Sequence, residues 1–153
     1  MNRELTLYLQ LMSDDPAAEL DYAFLAQWAR ANDDGTLTAI DASFLRITAP
    51  IGAAVQFAVA TRLRFKGGLT ECALQIDVEA PGAPHLTFGA QIDAGSAPVY
   101  GPDNRRHVIA VLNTGLPVQN HGTVTVRLAL DERPVRTLLF ELVPPSALPA
   151  SNG

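Results

Sequence analysis

The chain has 153 residues, 48% of them hydrophobic and 18% charged, with a formal net charge of −5. That length is one ordinary domain, which buries roughly 68–70% of its unfolded surface and so needs no disulfide or metal to hold a core. The low charge content excludes a disordered chain, and the acidic balance counts against a sequence-independent grip on nucleic acid, which needs a basic face.

Ten of the eleven basic residues are Arg, Lys66 being the exception, and Arg suits planar, bidentate or stacked contacts. Cys72 is the single cysteine, so neither an internal disulfide nor a Cys-based zinc cage can form. No basic segment followed by an apolar one opens the sequence, and no run is long enough to cross a bilayer. The expectation is a cytoplasmic protein without membrane contact.

In residues 1–12, Leu5, Leu7, Leu9 and Leu11 alternate with Thr6, Tyr8 and Gln10, a strand period, with helix the rival because Leu and Met favour it. Ser13-Asp14-Asp15-Pro16 ends this arm, because Pro16 lacks an amide donor and has a fixed φ. An arm of this kind completes an edge of its own sheet or adds to a neighbour's. Residues 20–47 read as a central hairpin. In residues 20–30, Leu20, Tyr22, Phe24, Ala26 and Trp28 share one face and Ala23, Leu25, Gln27 and Ala29 the other. A helix over residues 17–31 is the rival, since Ala, Leu and Gln favour it. Asn32-Asp33-Asp34-Gly35 decides for the hairpin, because Asn, Asp and Gly accept the positive φ of a tight turn. The return strand, residues 36–47, is interrupted by Asp41-Ala42-Ser43, the mark of a bulge or bend.

Alternation then becomes regular. Val55, Phe57, Val59, Leu63 and Phe65 point one way and Gln56, Arg62 and Arg64 the other. Lys66-Gly67-Gly68 is read as a hairpin turn into Cys72, Leu74, Ile76 and Val78, which sets Arg62 and Arg64 opposite Glu71 and Gln75. Leu86, Phe88, Ala90 and Ile92 form the next inward set, and residues 94–106 the longest stretch without periodicity. Loops beyond about 12 residues are uncommon in compact domains and often functional. Residues 108–112 are continuously apolar, as in a central strand. Val124, Val126, Leu128 and Leu130, then Leu138, Phe140 and Leu142, face the core across the turn Asp131-Glu132-Arg133-Pro134. The proline-rich residues 144–153 read as a flexible tail.

The expected fold is therefore all-β, an antiparallel immunoglobulin-like sandwich of about eight strands. Its parts are an N-terminal arm (residues 1–19), the sandwich domain (residues 20–143) and the tail.

Cys72 lies in phase with Leu74 and Ile76 and is expected to be buried and inert. His85, His107 and His121 fall in or beside loops, without the i,i+4 spacing or neighbouring Cys of a metal site. The dense polar cluster is Asp103-Asn104-Arg105-Arg106-His107, beside Tyr100. It is the candidate ligand site, with Arg105 and Arg106 as donors to a carboxylate or phosphate and Tyr100 as a stacking surface.

Ala23-Phe24-Leu25-Ala26-Gln27-Trp28-Ala29, then Asp34-Gly35-Thr36-Leu37, then Val111-Leu112-Asn113 and Gly115-Leu116-Pro117-Val118 together resemble a family of small uncharacterised bacterial β-sandwich proteins. That family opens with an Ala-Leu-Leu-Ala-Asp-Ala-Ala strand and an Asp-Gly-Lys-Leu turn. Where it carries a Gly-rich segment ending in Trp, this chain has Asp41-Ala42-Ser43-Phe44. The resemblance covers residues 20–143 and rests on turn and packing residues, so it implies a fold and no activity.

Without a phosphate loop, a nucleophile elbow or an acid pair with a His, the expectation is a non-enzymatic interaction or assembly protein. It would have no cofactor and no nucleic-acid partner. It would form a homo-oligomer, self-associating through Leu5, Leu7, Leu9 and Leu11. The alternative is a small-ligand or carbohydrate-binding module using the loop of residues 94–107.

Overall fold

In the computed structural model, which describes residues 17–146, the chain forms eleven strands and no helix. They are β1 (Ala18–Ala26), β2 (Trp28–Ala31), β3 (Leu37–Ile40), β4 (Arg46–Thr48), β5 (Ala54–Phe65), β6 (Glu71–Glu79), β7 (Leu86–Asp93), β8 (Val99–Tyr100), β9 (Arg105–Pro117), β10 (Gly122–Leu130) and β11 (Arg133–Val143). One sheet has the order β1-β5-β9-β8, the other β4-β11-β10-β6-β7, and β2-β3 stands apart as a hairpin. Every pairing is antiparallel except β4 with β11.

The alternating apolar sets explain the two layers. Phe57, Val59, Leu63 and Phe65 of β5 share one core with Val78 of β6, Val126 and Leu128 of β10 and Phe140 of β11. The Phe140 ring lies 5.3 Å from Phe57 and 5.2 Å from Phe44. Each such ring withdrawn from water contributes about 1.5–3 kcal/mol. Thr61 is the polar intruder in this face, fully buried, and its hydroxyl donates to the Ala110 carbonyl across the β5–β9 ladder at 2.8 Å.

The all-β expectation holds, but the number of strands is eleven rather than about eight. Both arms of the expected central hairpin are broken. The first bends at Gln27, so β1 pairs along β5, and only β2 and β3 form the hairpin around residues 32–36. The second breaks at residues 41–43, where Asp41 and Ser43 adopt φ of 49° and 63° and the Ser43 amide donates to Leu25 O at 2.6 Å. Beyond that turn β4 joins the other sheet beside β11. The face assignment within residues 20–30 is corrected too. The β1 register shifts between Leu20 and Tyr22. A bulge places two successive residues on one side, so Ala18, Leu20, Ala23 and Leu25 meet the core while Tyr22 faces outward with Arg62. Trp28 is 40% exposed.

Lys66-Gly67-Gly68 does not close a hairpin either, because β5 and β6 belong to different sheets. Arg62 and Arg64 lie across from Tyr22 and Glu19 of β1, not from Glu71 and Gln75. At the β10–β11 turn, Asp131 and Glu132 take φ of 48° and 68°, the left-handed pair that a two-residue hairpin loop requires. The Asp131 carboxylate accepts from the amides of Ala73 at 2.9 Å and Ala17 at 3.0 Å, tying β6 and β1 to that turn. Leu5, Leu7, Leu9 and Leu11 lie outside the described residues, as do residues 147–153 of the tail.

The hairpin lies on the outer face of the four-stranded sheet. Ala26, Ala29, Ala58 and Ala60 form a second core there with Phe24, Leu37, Ala39 and Val111. The small alanine side chains let two backbones approach closely. Asn113 of β9 latches the contact, its side-chain amide donating to Ala29 O at 2.9 Å and accepting from Ala29 N at 3.2 Å. Substituting Asn113→Ala leaves both Ala29 groups unpaired, a loss of about 1–3 kcal/mol. Hydrogen exchange should then show β2 and β3 deprotected while the β5–β9 ladder stays slow. Cys72 is 1% exposed, and its burial, with the nearby Asp131 charge second, pushes the thiol up to about 12. Native protein should resist iodoacetamide at pH 8 and react once it is unfolded.

Candidate functional site

Beyond the edge of the hairpin, the outer face of the sheet is polar. The register sets Glu19, Arg64 and His107 in one row across β1, β5 and β9, and Tyr22, Arg62 and Ile109 in the next. The β1 bulge lets Asp21 join this face beside Tyr22. Arg62 Nε donates to Asp21 Oδ2 at 2.6 Å, and its guanidinium carbon sits 4.9 Å from the centre of the Tyr22 ring. Glu19 Oε2 receives two guanidinium groups, Arg64 at 2.9 Å and Arg105 at 3.0 Å. These hydrogen bonds and charges, Arg64 first, hold the Glu19 carboxyl below the usual carboxylate range despite some burial.

His107 stands among three guanidinium groups. Burial lowers its pKa first, and Arg62, Arg64 and Arg105 add to the shift, with Asp21 alone opposing. The imidazole is therefore neutral near pH 7, chiefly because its burial disfavours the charged form. Tyr100, 52% exposed, lies over it with ring centroids 5.6 Å apart and planes 30° apart.

Between this pair and the hairpin tip runs a cleft of about 310 Å³, lined by Gly35, Arg62, Pro98, Tyr100, His107 and Ile109. Its two walls are both braced. In the hairpin tip, Asn32 Nδ2 donates to the hydroxyls of Thr36 and Thr38 at 3.0 and 2.9 Å, and Asp34 Oδ1 accepts from the Thr36 amide at 3.0 Å. Gly35 takes φ of +82°, which a side chain would strain. In the opposite wall, the Arg106 guanidinium donates to the Ala97 carbonyl and the Asn104 amide to Gly101 O at 3.2 Å.

The structure thus divides the candidate ligand residues. Tyr100, Arg105 and His107 come together on the outer face. Arg106 follows the phase of its partner Phe65 and bonds the backbone of the loop, so it positions the wall and is not free to grip a ligand. Asn104 supplies a left-handed turn residue with φ of 51°. Asp103 stays exposed at the rim, 3.9 Å from Arg105 Nε. Glu19, Asp21, Tyr22, Arg62, Arg64 and Gly35 complete the site. Arg62 and Arg64 have an outward phase in the sequence, but nothing in the order of residues shows that β1 lies beside them. His85 and His121 are elsewhere, the first 3.9 Å from Asp77 Oδ1 and the second bonded to Ala49 O at 2.8 Å. Among the described residues no group of three His, Cys, Asp or Glu is placed to hold a metal, and no helix is long and apolar enough to cross a membrane.

No protein-family model matches the chain, and no curated protein does. Among solved structures, it is similar to a Pseudomonas fluorescens alkylpurine DNA glycosylase, AlkC, bound to DNA containing an abasic site analog. The identity is 10% and the TM-score 0.46, over 88% of this chain and 32% of that one. The chain thus spans about a third of that protein's length. The expectation of an assembly protein without a nucleic-acid partner is corrected on that one point, since the matched protein is bound to DNA. A likeness this distant assigns no activity to the chain.

The shifted His107 sets a pH dependence. Its folded pKa is lowered, so the unfolded chain binds the proton more readily, and stability falls as pH drops below about 6.5. Glu19, lowered in turn, contributes stability that is lost only at more acidic pH. His107→Gln should flatten the loss of denaturation midpoint between pH 7 and 5.5 and leave the decline below pH 4 in place.

Proposed function

We propose that the chain binds single-stranded nucleic acid, and that the cleft on the outer face of the β1-β5-β9-β8 sheet takes one nucleotide. The observation that carries this reading is the placement of a half-exposed Tyr100, stacked near a neutral His107, beside three arginines across a cleft of about 310 Å³. An aromatic face accepts any base, and base–aromatic stacking is worth about 1–3 kcal/mol. Arg62 and Arg105 flank the stack. Each guanidinium carries five N–H donors, and the bonds to Asp21 and Glu19 leave others for a phosphate.

Ion pairs give the site its selectivity for a small footprint. Asp21 and Glu19 hold the guanidinium groups in place and cancel much of their charge, so the face grips two or three phosphates and not a long stretch of duplex backbone. Binding should accordingly weaken only gently with salt, with a log–log slope of about −1.4 to −2.1 for two or three phosphates on a single strand.

Fluorescence anisotropy with a labelled oligothymidylate tests the reading. The expected result is saturable binding with that shallow slope, weakened about fivefold or more by Tyr100→Ala, as the loss of one stacked base requires. A duplex of the same length should bind more weakly. No anisotropy change, or an affinity that Tyr100→Ala leaves untouched, overturns the proposal.

A further inference from the structure

Among the described residues, one side of the space between the two sheets is open. β7 is the last strand of its sheet, and among the described residues β9 has a neighbour beyond Arg106 only on its β5 side, because β8 pairs no further than Arg105 and Arg106. An apolar groove of about 580 Å³ runs between these two strand edges, with Leu74, Ile76, Phe88, Ile92, Ala110 and Leu112 in its walls. The burial pattern records the gap. Val108, Ala110 and Leu112 are only partly buried, whereas Leu63, Thr61 and Val59, their partners on β5, are fully buried. A bare ladder edge over an apolar groove is the geometry that accepts an added strand.

We propose that residues 4–12 of this same chain add to the free edge of β9 as an antiparallel strand, closing the groove with Leu5, Leu7, Leu9 and Leu11. The reading is independent of the nucleotide cleft, which lies on the other face of the sheet. Three observations carry it. The first is period: four leucines at alternate positions, with no charged residue among residues 5–12, present one apolar face of a strand.

The second is reach. Ala17 is held at the end of the sandwich where Arg106 pairs with Phe65, its carbonyl accepting from the Lys66 amide at 3.1 Å and its amide bonded to Asp131 at 3.0 Å. A strand beyond β9 lies three strand spacings from β1, about 14 Å. The five residues 12–16 extend to about 17 Å. Entering from that end, the segment runs against the direction of β9.

The third is punctuation. Pro16, Asp15 and Asp14 fall in the crossing link, where no ladder bond is needed, and not in the strand.

Hydrogen exchange on the intact chain tests the proposal. The amides of residues 108–116 that point away from β5 should exchange on the order of a hundredfold more slowly in the intact chain than in a version lacking residues 1–12. Light scattering should show a monomer in both. The full-length double variant L7D/L9D should lose the same protection while the amides bonded to β5 stay slow, which keeps the test decisive if the shortened chain does not fold. Equal exchange in the intact chain and in L7D/L9D overturns the proposal. Protection accompanied by a dimeric mass also overturns it, and assigns the groove to the same segment of a second copy.

Discussion

Strand β5 has to be covered on both sides, and much of the architecture follows from that constraint. Its inner phase, from Val55 to Phe65, is the largest contribution of one strand to the main core. Its outer phase runs from exposed Ala54 and Gln56 through Ala58 and Ala60, both fully buried, to Arg62 and Arg64, both partly exposed. The change from alanine to arginine along one face decides where the β2–β3 hairpin can lie. Over the alanines it excludes water from a flat apolar patch. Over the arginines it would have to desolvate guanidinium groups, a loss no alanine contact offsets. The border between covered and uncovered halves is therefore the border of the cleft.

Charge on the uncovered half is arranged to be held, not neutralised at a distance. Glu19 and Asp21 come from the edge strand and draw three arginines of β5 and β9 into fixed positions. Partly exposed pairs of this kind add little to stability, with a median near 0–1 kcal/mol. Their larger effect is on geometry, since a guanidinium already pinned by a carboxylate and a tyrosine loses less freedom when a ligand arrives. His107, left neutral by its burial and by the neighbouring arginines, can stack and hydrogen-bond without adding another charge to be desolvated.

Sequence patterning is informative wherever one face is wet and the other dry. The inward sets of β6, β10 and the end of β11 are readable residue by residue, because strict alternation has only one burial solution. The site is readable in part: Tyr100, Arg105 and His107 stand together in the chain and in space. The failures have specific causes. Asp21 and Tyr22 form a bulge that reverses the phase within one strand, and alternation counts cannot detect a repeat of one face when both faces are rich in apolar residues. Lys66-Gly67-Gly68 has the composition of a hairpin turn, yet composition does not distinguish a turn within a sheet from a crossing between sheets. Arg62 and Arg64 face outward as their phase requires, but their partners lie more than forty positions earlier in the chain. No local signal carries that distance.

The Asn113 latch separates two tasks that most loops must combine. The hairpin is fastened at its base, through Ala29 and the alanine contact, while its tip at Gly35 forms a wall of the cleft. Residues 33–36 can therefore lengthen, shorten or change in chemistry without disturbing either core. The dimensions of the cleft are in this way a nearly independent variable of the fold, adjustable at the tip while both cores stay as they are. A scaffold with that property is open to divergence: one framework can present clefts of different depth to different ligands, and selection on the tip need not contend with selection on folding.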